Sequence, residues 1–199
     1  MRDADNIRQL DEAQIADWMG FIFFNKSSRN VTTLPAYMPK NCKRVGVFVN
    51  EPIDMIQERV KTFGFNLVQL HGDESVEYIR ALKLSLPKEV QLVKMIQIES
   101  IDDINDTNKY EDVVDYFLFE TKCPGYGGSG KQFDWEILNE YKGSIPFLIT
   151  GGITANDADK IKTFSHPQFA GIDLNSMFEI SPAYKDIDLL KNFIKQIRQ

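Results

Sequence analysis

The chain has 199 residues, 43% of them apolar and 26% charged, enough for one domain with a single large core over residues 1–199. Its 29 acidic against 23 basic residues give a net charge of −6, which argues against a nucleic-acid partner, because such proteins present a basic face. No apolar run approaches the roughly 18 residues of a membrane-spanning helix, so no membrane partner is expected.

The opening Met1-Arg2-Asp3-Ala4-Asp5 is polar and unlike a signal peptide. Ile7, Leu10, Ala13 and Ile15 then recur at helical spacing. An apolar run over 18–24 reads as the first strand, followed by a short, weak stretch at 34–38. The second strand, 44–49, leads into a helix marked by Ile53, Ile56 and Val60 and stopped by Gly64. The third, 66–70, precedes a helix carrying Val76, Ile79, Leu82 and Leu86, ended by Pro87. The fourth, 91–96, runs into a polar connection over 102–112. After the fifth, 115–119, a helical face of Ile137, Leu138 and Tyr141 is expected. After the sixth, 146–149, a helix with Ala158, Ile161 and Phe164 follows Asn156 as its N-cap. The seventh, 169–174, leads to a last helix bearing Ile187, Leu190, Phe193, Ile194 and Ile197.

Such short Val-, Ile- and Phe-rich runs read as parallel strands buried on both faces. Strand–helix alternation demands a parallel sheet, with right-handed crossovers. Near-even spacing, and no Gly-x-Gly-x-x-Gly after the first strand, favour a closed α/β barrel over an open doubly wound sheet. The expected fold is therefore a TIM-type (βα)8 barrel with seven recognisable strands, a strand before the first helix being absent from the chain.

In such barrels chemistry sits where the strands end. The strand ends here supply Lys26-Ser27-Ser28-Arg29, Asn50-Glu51, His71-Gly72-Asp73-Glu74, Glu120-Thr121-Lys122 with Gly127-Gly128-Ser129-Gly130, Gly151-Gly152, and Asn175-Ser176. Gly151, Gly152, Asn175 and Ser176 follow the last two strands, the usual phosphate position, and glycine lets backbone N–H groups approach phosphate oxygens. Arg29 suits a planar carboxylate, although a lone loop arginine is more often a solvated surface charge. Glu120, at the end of a strongly apolar strand, suits a general acid or a structural cap. His71 suits proton transfer, substrate contact or a half-buried structural place. Cys42 and Cys123 show no metal-ligand or redox spacing; they read as structural thiols in a reducing, cytoplasmic setting.

Taken in order, the strings Gly20-Phe21-Ile22-Phe23 with Ser28-Arg29, Val45-Gly46-Val47-Phe48-Val49-Asn50, Gln69-Leu70-His71-Gly72-Asp73-Glu74, Phe117-Leu118-Phe119-Glu120, Gly127-Gly128-Ser129-Gly130 with Phe133-Asp134-Trp135, Gly151-Gly152-Ile153 and Gly171-Ile172-Asp173-Leu174-Asn175-Ser176 resemble the phosphoribosylanthranilate isomerase family. The resemblance implies a cofactor-free and metal-free (βα)8 barrel of tryptophan biosynthesis that performs an Amadori rearrangement on a small sugar phosphate. It implies that Arg29 holds the anthranilate carboxylate, that Glu120 occupies the general-acid position, that Gly151, Gly152, Asn175 and Ser176 hold the phosphate, and that His71 and Asp173 line the site.

Four positions depart from the family pattern: Glu120 for its Asp, Ser28 for Pro, Met177 for Arg or Gly, and Thr150 for a smaller residue. The family's first strand and its general-base cysteine are absent from these 199 residues and are expected to lie before Met1, so the resemblance implies impaired turnover for the chain as it stands. A barrel without that strand would bare the edges of strands 18–24 and 169–174, inviting a homodimer through strand edges. Two other readings stand beside the isomerase: a shortened, non-catalytic relative that binds a sugar phosphate or a partner chain, and a different sugar-phosphate barrel enzyme.

Overall fold

Residues 1–122 and 132–198 are described in a computed structural model. Each apolar run becomes a strand: β1 (Trp18–Phe23), β2 (Lys43–Phe48), β3 (Leu67–Leu70), β4 (Gln91–Ile98), β5 (Tyr116–Thr121), β6 (Phe147–Ile149) and β7 (Phe169–Ile172). They lie side by side in chain order in one seven-stranded sheet, every neighbouring pair parallel. β5 runs past Phe119, so Glu120 belongs to the strand and not to the loop after it.

The two faces of the curled sheet bury different sets of side chains. One set of alternate side chains, including Val45, Val47, Leu67, Val93, Met95 and Leu118, packs inside the curl. The other set, including Phe21, Phe48, Val68, Leu92, Phe117 and Phe147, packs against the helices. Trp18 of β1 meets Tyr116 of β5 edge to face, with ring centroids 5.0 Å apart, although their strands are not neighbours. That contact across the interior is what a barrel-like curl produces and a flat sheet forbids.

The helices are α1 (Ala4–Ala13), α2 (Ile53–Phe63), α3 (Val76–Ser85), α4 (Ile101–Asn105), α5 (Ala158–Thr163) and α6 (Ile187–Ile197). Caps set their ends. The Asp3 carboxylate accepts the Asn6 N–H at 2.8 Å, and the Asp186 carboxylate accepts that of Leu189 at 2.9 Å. Gly64 closes α2 in the left-handed region at φ 63°.

Several local expectations give way. Ile15 lies beyond the end of α1. Residues 34–38 form no helix, while the polar connection forms α4 and a 3₁₀ turn, Asp106–Tyr110. The segment after the fifth strand is a 3₁₀ helix, Trp135–Glu140, and not an α-helix. A three-residue period places Trp135, Leu138 and the following Tyr141 on one face, and all three are buried. Asn156 is not the N-cap of α5: Thr154 and Asp157 form a reciprocal capping box around the 3₁₀ turn Ala155–Asp157, and Asn156 lies inside it. A small antiparallel hairpin, β8 (Glu179–Ser181) with β9 (Tyr184–Lys185), was not foreseen; it is too short to show alternation.

The two outer strands differ from the rest. β3 is buried at every residue, whereas β7 is half-buried, with Ala170 exposed, so two-sided burial fails there. The outer edge of β1 is only partly bare: the Gly20 carbonyl accepts the Met1 amine at 2.6 Å, and the Ile22 carbonyl accepts the Val31 N–H at 2.8 Å.

Candidate active site

The side-chain period of two that packs Tyr116 and Leu118 inside the curl also turns Glu120 inward at the C-terminal end of β5. The same period on β3 carries Leu67 and Gln69 inward and His71 after them. The His71 backbone N–H donates to the Phe48 carbonyl at 2.8 Å, fixing the residue on the neighbouring strand end. Its Nε2 lies 3.2 Å from Glu120 Oε2, at ion-pair distance, and its Nδ1 has no hydrogen-bond partner among the described residues.

Asp173 follows β7, its N–H bonded to the Ile149 carbonyl at 2.9 Å and its own carbonyl accepting the Thr150 hydroxyl at 3.1 Å. Burial raises its carboxyl above the usual range, against the opposing pull of Lys185, and the nearby Glu120 pushes the same way as burial. His71, Glu120 and Asp173 thus converge from β3, β5 and β7 on one cavity of about 810 Å³, which Arg29, Gly151, Gly152, Asn175 and Ser176 also line.

The loop bearing His71 is held from behind. Glu74 takes the N–H groups of Asn50 (2.9 Å) and Gly72 (3.1 Å) and pairs with Lys94 Nζ at 2.9 Å, while Lys94 also donates to the Gly72 carbonyl at 2.6 Å. Both side chains are almost wholly buried. A Cβ on Gly72 would stand 2.5 Å from Asn50 Oδ1 and 2.8 Å from Glu74 Oε1, so a larger residue there would displace the side chains that hold the loop.

Gly151 and Gly152 both have positive φ, 92° and 64°, a backbone course that other residues adopt only with strain. The turn lies against the neighbouring strand end: a Cβ on Gly151 would meet Thr121 Oγ1 at 3.3 Å and Glu120 Cγ at 3.5 Å, and Gln132 Nε2 donates to the Gly152 carbonyl at 3.0 Å. Asn175 and Ser176 are exposed at the mouth, Ser176 opening a 3₁₀ turn, Ser176–Phe178. Lys185 Nζ reaches back to the Leu174 carbonyl (3.1 Å), the Asn175 carbonyl (3.1 Å) and Asn175 Oδ1 (2.9 Å).

Arg29 is not a free surface charge. Its Nε donates to both oxygens of Glu179 at 3.1 and 2.9 Å, and its Nη2 to Oε2 at 2.6 Å. Glu179 and Lys185 are the residues that sequence reasoning missed. Their sole signal is a Glu and a Lys flanking Pro182-Ala183, a spacing that reads as a hairpin only once the pairing is known.

Cys42 is a free thiol near the opposite end of the sheet, ahead of β2, and burial pushes its pKa up to about 11, as suits an unreactive structural cysteine. Cys123 and Gly127-Gly128-Ser129-Gly130 lie outside the described residues. No helix among the described residues is long and apolar enough to cross a membrane.

The family model of N-(5'phosphoribosyl)anthranilate (PRA) isomerase matches residues 2–196. An N-(5'-phosphoribosyl)anthranilate isomerase from Parabacteroides distasonis is 48% identical, over 99% of this chain and 90% of that protein. One from Phocaeicola vulgatus is 46% identical, over 100% of this chain and 95% of its own length. Among solved structures, phosphoribosyl anthranilate isomerase from Thermotoga maritima superposes with a TM-score of 0.80 at 28% identity, covering 100% of this chain and 95% of that one. A further phosphoribosyl anthranilate isomerase structure, in complex with reduced 1-(o-carboxyphenylamino)-1-deoxyribulose 5-phosphate, has a TM-score of 0.72 at 25% identity and covers 97% of this chain and 95% of its own.

Proposed function

Because the chain belongs to the N-(5'-phosphoribosyl)anthranilate isomerase family, we propose that its cavity performs the Amadori rearrangement of N-(5-phosphoribosyl)anthranilate to the open-chain aminoketose phosphate. The observation that carries this reading is the inward carboxylate of Glu120, 3.2 Å from His71, lining the same cavity as Arg29 and the Gly151-Gly152 turn. Glu120 protonates the ribose ring oxygen and opens the ring to an imine. His71, in contact with Glu120, and Asp173 line the floor where the sugar lies. Arg29 takes the anthranilate carboxylate, and Gly151, Gly152, Asn175 and Ser176 take the phosphate. No described residue is assigned as the base that removes the proton from the neighbouring sugar carbon. The proposed setting is the cytoplasm, without metal or cofactor, and the proposed assembly is a homodimer through the outer strands. The phosphoribosylanthranilate isomerase of Thermotoga maritima, dimeric and also crystallised as generated monomers, supports the dimeric reading.

Binding and turnover are measured separately. Titration with reduced 1-(o-carboxyphenylamino)-1-deoxyribulose 5-phosphate tests the ligand-holding residues, and loss of anthranilate fluorescence from phosphoribosylanthranilate tests catalysis. Glu120→Gln is expected to lower turnover by about 10²–10⁴-fold while leaving affinity for the reduced ligand within about threefold. Turnover undiminished by Glu120→Gln would remove Glu120 from the chemistry, and no affinity for the reduced ligand in the parent protein would sink the reading as a whole.

A further inference from the structure

A guanidinium offers five N–H donors in a fixed planar fork. Glu179 occupies one side of that fork on Arg29, through Nε and Nη2. The Nη1 end has no acceptor among the described residues, and Arg29 lines the cavity. A guanidinium engaged side-on by one carboxylate keeps its opposite end for a second, which it can grip in two parallel hydrogen bonds.

Glu179 is built as a fixed element. Its side chain is 3% exposed and receives, besides Arg29, the Ala183 N–H at 3.2 Å and Lys185 Nζ at 3.3 Å, both on Oε1. Burial opposes its ionisation, yet the Arg29 hydrogen bonds and the Lys185 charge hold its carboxyl below the usual range. Arg29 and Lys185 thus share this one carboxylate. Lys185 extends the arrangement to the Leu174–Asn175 turn, and its backbone is held in turn by Asn6, whose amide donates to the Lys185 carbonyl at 2.9 Å and accepts its N–H at 2.7 Å. The hairpin is thereby fixed to α1, and one rigid chain of contacts joins Arg29 to Asn175.

We propose that Glu179 is a positioning residue for ligand recognition: it aims the open end of Arg29 into the cavity and, through Lys185, sets the separation between the carboxylate-binding and phosphate-binding ends. Specificity then resides in a ruler. A ligand is favoured when its carboxylate and its phosphate are spaced to meet both ends. This proposal rests on the carboxylated sugar phosphate read above as the substrate.

The test compares two ligands by equilibrium titration: reduced 1-(o-carboxyphenylamino)-1-deoxyribulose 5-phosphate, and the same molecule lacking the aromatic carboxylate. The parent protein is expected to bind the first more tightly. Glu179→Gln is expected to weaken the carboxylated ligand tenfold or more while leaving the carboxylate-free ligand within twofold. Glu179→Asp, which keeps the charge but withdraws the carboxyl from the Arg29 fork, carries the same expectation and stands in should Glu179→Gln not fold. Equal loss for both ligands marks Glu179 as merely structural and overturns the proposal, as does no loss for either. Failure of the parent protein to bind either ligand overturns the substrate reading and this proposal together, whereas parental binding with an unselective variant overturns this proposal alone.

Discussion

Glu120 has one methylene more than the aspartate of the family pattern, and in this cavity its carboxylate comes within 3.2 Å of His71 Nε2. Its residue type and its place at an apolar strand's end were legible in the sequence; its partner was not, because β3 and β5 meet only through β4. Arg29 teaches the same lesson more sharply. As a lone loop arginine it reads first as a solvated charge, and only the hairpin 150 residues later supplies the carboxylate that fixes it. Asp173 yields a prediction at this scale. Its carboxyl is raised in the folded state from an ordinary value of 3.8, so the folded protein holds that proton more tightly than the unfolded chain does. Stability therefore falls as pH rises from about 3.8 through the folded value. Asp173→Asn removes that loss, and thermal melting is expected to show a higher Tm than the parent at pH 7 and no advantage at pH 3. A gain of equal size at both pH values would contradict the burial argument.

At the scale of elements, Glu74 and Lys94 tie the ends of β2 and β3 to the middle of β4 behind His71. A buried ion pair contributes little against a well-packed apolar pair, but breaking it strands a charge, which costs about 3–5 kcal/mol. Lys94→Met alone is therefore expected to lower unfolding free energy by about that amount in urea titrations. Lys94→Met with Glu74→Leu is expected to lose less than Lys94→Met alone; a strictly additive double variant would show that the two do not interact. Strands were readable as elements because two-sided burial writes continuous apolar runs. Where burial pattern and hydrogen-bond period part company, as in Trp135–Glu140, the sequence showed an apolar face without revealing its three-residue period.

For the whole molecule, the informative strands are the outer two. β7 is half-exposed along its length, and β1 has its Gly20 and Ile22 carbonyls already engaged by Met1 and Val31. The side of the sheet open to another chain is therefore chiefly that of β7, not both edges equally. Sedimentation over a wide concentration range is expected to show self-association. Ala170→Lys, a charge on that exposed strand, is expected to weaken it. A monomer at every concentration, with no effect of Ala170→Lys, would exclude pairing through this edge.

The sequence by itself determined the strand–helix alternation, the parallel sheet in chain order and the ring of polar strand ends, because buried strands, capped helices and glycine turns are each written locally in residue type and spacing. Only the tertiary structure decided which of those ends face one another. The 3.2 Å approach of His71 to Glu120, the grip of Glu179 on Arg29 and the reach of Lys185 to Asn175 all join segments brought together by the curl of the sheet or by a short hairpin. Neither leaves a period in the chain, since a contact between distant segments is set by how their buried faces pack and not by any pattern within either one.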